Sequence, residues 1–186
     1  KSAMIKYTVN DPEIDKNFYV LVNTTEHLNS FNRPWWSQKV SDSKIMINEN
    51  MQSYEGFIEI TNGWSSTDSY KVYFFAEFDK KFDSIIAHSN KQLENKEAAF
   101  TNEVFFKFDS INSTLMSKIG VSYHSIEQAR INLLNDFLEN FNFADQVLKV
   151  IDVWKEQVFD QIVEIKSLDE IVLEKFYNSL YGSHLM

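Results

Sequence analysis

Between Tyr70 and Phe78 the chain reads Tyr-Lys-Val-Tyr-Phe-Phe-Ala-Glu-Phe, an aromatic and apolar run broken only by one lysine and one glutamate. Aromatic and β-branched side chains lose rotamer freedom in a helix but fit the pleated, half-buried surface of a sheet. The run therefore demands a strand with apolar partners around it. Similar short segments supply them: Ile5 to Val9, Phe18 to Val22, Ile45 to Ile47, Tyr54 to Ile60, Phe82 to Ile86, Val104 to Phe108 and Leu115 to Tyr123. Ile5, Tyr7 and Val9 alternate with polar residues, as a half-buried strand does, whereas Phe18 to Val22 is continuously apolar and is expected to be buried on both faces. Turn-forming stretches such as Asp42-Ser43, Thr61-Asn62-Gly63 and Asp109 to Thr114 separate these runs. Seven or eight short strands with few helical patterns between them predict an antiparallel β-sandwich. Lys91 to Ala99 alone reads as a short helix or a charged loop.

Beyond Tyr123 the hydrophobic period changes. Ser125 and Gln128 fit a capping box, and Ile126, Arg130, Leu133 and Phe137 fall on one helical stripe. A second helix is expected from about Asn142, with Val147, Val150, Ile151, Trp154 and Val158 on one face, ending before a strand-like Ile162 to Ile165. Ser167 and Glu170 suggest a third helical start. There Leu168, Val172, Phe176 and Leu180 form one stripe, and Leu173, Tyr177 and Tyr181 form another. Two stripes imply burial on two sides. The expected organisation is a mainly β chain, with a sandwich at 1–123, a helical linker at 124–166, and at 167–186 a helix belonging to a further domain.

The net charge of −9 disfavours nucleic acid or an anionic membrane as the main partner. With 44% hydrophobic and 15% aromatic residues, there is enough apolar surface to offset the entropy of ordering. The chain has no cysteine, hence neither a disulfide framework nor a thiolate site. No apolar run reaches the roughly 20 residues a membrane helix needs. Two N-glycosylation patterns occur, Asn23-Thr24-Thr25 and Asn112-Ser113-Thr114. They leave localisation open, leaning towards a secretory or extracytoplasmic setting.

Three motifs in order carry a resemblance. The first is Gly63-Trp-Ser-Ser-Thr-Asp-Ser-Tyr-Lys-Val-Tyr-Phe-Phe-Ala-Glu-Phe-Asp-Lys-Lys-Phe82. The second is Val121-Ser-Tyr-His-Ser-Ile-Glu-Gln-Ala-Arg-Ile-Asn-Leu133, and the third Phe176-Tyr-Asn-Ser-Leu-Tyr-Gly-Ser-His-Leu-Met186. Together they resemble the N-terminal part of glycoside hydrolase family 92, the calcium-dependent exo-acting α-mannosidases, over about Ile14 to Met186. The resemblance implies a sandwich, linker helices and the first helix of an α/α barrel. It also implies an inverting enzyme acting on terminal α-mannose of glycans, with a general acid and a general base roughly 6.5–9.5 Å apart. In that family these carboxylates and the calcium ligands lie in the barrel, so no catalytic or metal residue is carried onto this chain. The expected role is to brace the catalytic domain and help wall the sugar pocket, inactive by itself. The alternative is a non-enzymatic carbohydrate-binding or adhesion sandwich.

Trp64, in a turn before the best-matching run, is the one residue the resemblance suggests for sugar stacking; packing at a sandwich edge is the competing reading. Trp35-Trp36 alternates in direction along an extended segment and suits domain packing better than one ligand. His27, His88, His124 and His184 are scattered without metal spacing. The pairs Glu156/Asp160 and Glu170/Glu174 read as solvated helix faces. Asp68 and Asp79 suit turns, since calcium asks for about six or more oxygens.

Overall fold

A computed structural model describes residues 2–11, 16–25, 38–62, 68–87, 102–137, 141–160 and 165–184. Eight strands form: β1 (Ser2–Thr8), β2 (Lys16–Asn23), β3 (Lys39–Ile47), β4 (Ser53–Thr61), β5 (Tyr70–Phe78), β6 (Ser84–Ala87), β7 (Glu103–Ser110) and β8 (Thr114–Ser122). They build two antiparallel sheets, β1-β8-β5-β4-β3 and β2-β7-β6. The aromatic run at Tyr70–Phe78 occupies the middle of the larger sheet, paired with β4 on one side and β8 on the other. An antiparallel β-sandwich followed by helices is thus the fold.

The core is where the two inner faces meet. Ile45, Tyr54, Phe74, Ala76, Phe78 and Leu115 come from the larger sheet, and Val20, Val104, Phe106 and Phe108 from the smaller. Phe106 sits among Tyr54, Phe82 and Phe78, with ring centroids 4.8, 4.9 and 5.3 Å away. Offset and edge-on aromatic contacts of this kind add about 0.5–1.5 kcal/mol each beyond area burial. A buried hydroxyl contact, Thr24 to Ser43 at 2.9 Å, ties the end of β2 to β3 in the other sheet. Double-sided burial of Phe18 to Val22 is not what forms: Val20 points inward, while Tyr19 and Leu21 are 45% and 48% exposed on the outer face.

The chain has only four glycines. Left-handed backbone positions are given instead to Asn17, Asn62 and Asn112, with Met51 and Ser113 also at positive φ. Asparagine tolerates that region because its short side chain bonds locally to the backbone. Two of the glycines sit where backbone segments touch. A Cβ on Gly56 would lie 1.8 Å from the Lys44 carbonyl oxygen, and one on Gly120 would lie 2.2 Å from that of Ala129.

Gly120 is the seat of α1 (Ile126–Phe137), which packs across the outer face of the larger sheet. Ala129 and Leu133 are fully buried against Phe75. The Ser125 hydroxyl caps the helix by accepting from the Gln128 amide at 3.0 Å. The Gln128 side chain turns away to Asn132, so only half of the capping box forms. Asn132 Nδ2 donates to the Val121 carbonyl at 2.9 Å, holding the helix to β8. Compact units accordingly divide at Phe141 and Asn142. The first helix falls in the same compact unit as the sheets.

The second unit contains α2 (Phe143–Trp154), a π-helical turn (Lys155–Phe159) and α3 (Glu170–Ser183). Asn142 caps α2 by accepting from the Asp145 amide. Asp169 caps α3 by accepting from Ile171 N at 2.9 Å, so the cap is not Ser167 and Leu168 falls before the helix. Trp154 packs on Tyr181 at 4.6 Å, and Phe159 meets Tyr177 edge-on at 5.8 Å. These helices contain no buried residue among those described, and Val150, Ile151, Ile171 and Val172 stand exposed. The strand-like Ile162 to Ile165 and the Lys91 to Ala99 segment lie almost wholly outside the described residues.

Candidate functional site

The antiparallel order brings the start of β3, the end of β4, the start of β5 and the end of β8 to one end of the larger sheet, as the pairs Lys39–Thr61, Ile60–Tyr70 and Tyr73–Ser122 show. An aromatic and polar group gathers there. Tyr70 and Tyr123 approach to 6.1 Å between ring centroids, and Gln38 Nε2 donates to the Tyr70 hydroxyl at 2.9 Å. Tyr123 is 77% exposed, an unusual display of a ring in a protein with this much core to fill. Exposed tyrosine faces beside an amide offer an apolar surface and hydrogen-bonding groups together, the combination a sugar ring meets well. Sequence reading missed the group because its members lie far apart along the chain; only strand register joins them. Trp64, the residue singled out for sugar contact, lies outside the described residues, as do Trp35, Trp36, His27 and His88.

The outer face of the larger sheet carries the other concentration of chemistry. Lys118, fully buried on β8, pairs with Glu77 at 2.8 Å and lies 4.0 Å from the centre of the Phe141 ring. Arg130 on α1 reaches Glu55 at 2.7 Å and stacks 4.4 Å above Phe75. Each carboxylate is held by a cation that is itself placed by an aromatic ring. Such groups fix the helix and the Phe141 segment to the sheet and are committed to that task. Removing Glu77 would take a 2.8 Å charge partner from the fully buried Lys118 ammonium, which costs more than the pair itself contributes.

The remaining ionisable candidates resolve into structural positions. Asp79 Oδ1 accepts from the Met116 amide at 2.9 Å, tying the end of β5 to β8. Asp68 is exposed, as are Glu156, Asp160, Glu170 and Glu174. His124 lies at the end of the sheet and His184 at the end of α3, where its Nδ1 meets the Leu180 carbonyl at 2.9 Å. Among the described residues no three carboxylate or imidazole groups converge to hold a metal. They therefore do not fit the calcium centre the resemblance implies for a whole enzyme. Tyr54, buried at the centre of the core, has its phenol held well above the usual range by desolvation, with Tyr7 adding a smaller upward push. No helix among the described residues is long and apolar enough to cross a membrane.

A model of the glycosyl hydrolase family 92 N-terminal domain matches residues 1–122. The chain belongs to glycoside hydrolase family 92. The matched span starts at residue 1 and ends with the last strand of the larger sheet, so the family assignment and the two-sheet architecture describe the same stretch. Among solved structures, a family 92 α-mannosidase from Bacteroides thetaiotaomicron in complex with mannoimidazole is similar at 18% identity and a TM-score of 0.63. That likeness covers 83% of this chain and 20% of that one. A family 92 inverting mannosidase from the same organism is similar at 19% identity and a TM-score of 0.58, covering 82% and 19%. The chain spans about a fifth of the length of these structures. A search of curated proteins gives no match.

Proposed function

We propose that this chain serves as the N-terminal accessory part of an exo-acting, inverting α-mannosidase that removes terminal α-mannose from glycans. The observation that carries the reading is the family 92 N-terminal domain match over residues 1–122, in a chain spanning a fifth of the mannosidases it resembles. In this reading the sandwich braces a catalytic domain and lends aromatic surface to the wall of the mannose pocket, with Trp64 as the stacking residue. Calcium, the acid and the base are supplied by that other domain. The helix α3, with Ile171, Val172 and Tyr181 exposed, belongs to the start of the catalytic α/α barrel, whose remaining helices cover those side chains. The partners are then the catalytic domain and a mannose-containing glycan, not nucleic acid or membrane.

Removing residues 1–141 from the parent polypeptide tests the bracing role. Loss of both soluble yield and mannosidase turnover is expected. A shortened enzyme that keeps its melting temperature and full turnover would refute the role.

A further inference from the structure

The two Asn-x-Thr segments rank equally in the sequence, because both end in threonine. The fold separates them. Asn23 is the last residue of β2, paired with Glu103 on β7. Its Nδ2 donates to Glu103 Oε1 at 3.4 Å, and its Oδ1 accepts from the amide and hydroxyl of Thr25 at 2.8 and 2.7 Å. Between them Thr24 is buried, its hydroxyl 2.9 Å from Ser43 Oγ and 3.0 Å from the Asn102 carbonyl, its amide donating to that same carbonyl. Thr24 thus fastens one sheet to the other, and the Asn23 carboxamide is engaged at both its nitrogen and its oxygen.

Asn112 sits in the opposite situation. The β7–β8 hairpin turns through Ile111 to Thr114, closed by the Thr114 amide donating to the Ile111 carbonyl at 3.1 Å. Positive φ at Asn112 (49°) and Ser113 (66°) is the reversed-turn geometry that suits the twist of a hairpin. Ile111 is fully buried and anchors the turn, while Asn112 and Ser113 are exposed at its tip. The hydrogen bonds of Asn112 run from its backbone amide to Ser110 Oγ, and from the Ser110 hydroxyl to its Oδ1. Neither uses Nδ2, the atom a glycan would join.

We propose that Asn112 is the N-glycan acceptor this domain carries when made in a secretory pathway, and that Asn23 is not. In the transfer, Asn112 Nδ2 attacks the anomeric carbon of a lipid-diphosphate-linked oligosaccharide. The carbon–nitrogen bond forms as the carbon–oxygen bond to the diphosphate breaks; the lipid diphosphate leaves and the amide gives up one proton. A glycan at the hairpin tip projects into solvent with every hydrogen bond of the turn intact. At Asn23 it would crowd Glu103 and the Thr24 fastening, and chains so modified would fold poorly and be retained. The inference is independent of the mannosidase reading.

The test is to send the full chain through a eukaryotic secretory pathway behind a cleavable leader. Intact mass is measured before and after enzymatic removal of N-glycans, with peptide mapping of the site. One glycan, mapped to Asn112, is expected in the unaltered chain and in Asn23→Gln, and its mass should vanish in Asn112→Gln. Thr114→Val, which keeps Asn112 in the turn but removes the hydroxyl the Asn-x-Ser/Thr pattern requires, should lose it too; that variant decides the matter if Asn112→Gln is not secreted. An unmodified Asn112 in the unaltered chain, or a glycan at Asn23 in the secreted protein, overturns the proposal.

Discussion

Substituting Gly120 by alanine should lift α1 from the sheet, and the structure sets the size of the effect. The added Cβ would stand 2.2 Å from the Ala129 carbonyl oxygen and 2.9 Å from Leu133 Cβ. Ordinary contact begins near 3.4 Å, and the clashing atom is helix backbone, which cannot rotate away as a side chain would. The helix must therefore retreat by about 1 Å, a gap that forfeits roughly a quarter to a half of the dispersion energy across the interface. Overpacking of this kind costs about 1–3 kcal/mol, and a backbone clash belongs at the upper end. Replacing glycine by alanine in a strand returns about 0.5–1 kcal/mol. The net loss is about 2 kcal/mol, or a fall of roughly 4–8 °C in Tm for a chain of this size. Urea and thermal melts followed by the sheet signal measure it, and hydrogen exchange should show α1 amides opening earlier. Gly182→Ala serves as the control, because nothing lies within 4 Å of its added Cβ. A Gly120→Ala protein that melts unchanged would refute the close seating of α1 on β8.

Two further perturbations probe the core and the proposed pocket. Tyr54 stays protonated in the folded state, whereas an unfolded tyrosine ionises near pH 10. Above about pH 10 the unfolded chain therefore binds fewer protons than the folded one, and stability should fall as pH rises; the alkaline slope should shrink in Tyr54→Phe, and an unchanged slope would count against burial as its cause. Trp64→Ala in an intact parent enzyme should reduce kcat/KM about two- to twelvefold, the kinetic equivalent of a stacking contact of about 0.5–1.5 kcal/mol. A drop of about 3–5 kcal/mol in stability with unchanged turnover per folded molecule would return the residue to a packing role.

Seven of the eight strands were legible as apolar runs bounded by turn residues, a local signal. Of β3 only the Ile45 to Ile47 end was: Asp42-Ser43, expected as a turn, lies inside that strand opposite Glu59 and Ile58, because pairing with β4 extends it through polar residues. The stripe Ile126, Arg130, Leu133 and Phe137 likewise located α1, yet it omitted Ala129, which is as buried as Leu133. A small side chain carries little hydrophobic weight in a periodicity count, but it lets a helix approach Gly120. The outer-face exposure of Tyr19 and Leu21 was hidden because an all-apolar run does not say which face is covered. Charge pairs such as Arg130 with Glu55, and the meeting of Gln38, Tyr70 and Tyr123, join residues distant in sequence. Strand order creates them, and no local pattern announces them. At the third helix, Asp169 and Ser167 both satisfy the rules for a cap, and backbone geometry chose the aspartate.

Hydrolysis of an aryl α-mannoside by the chain alone, with calcium and with a chelator, is the most direct test of the central claim that this is the accessory part of a mannosidase. No turnover above the uncatalysed rate is expected in either condition, since catalysis is assigned to another domain. Calcium-dependent turnover that survives purification and is abolished by substituting a single carboxylate of this chain would contradict the account.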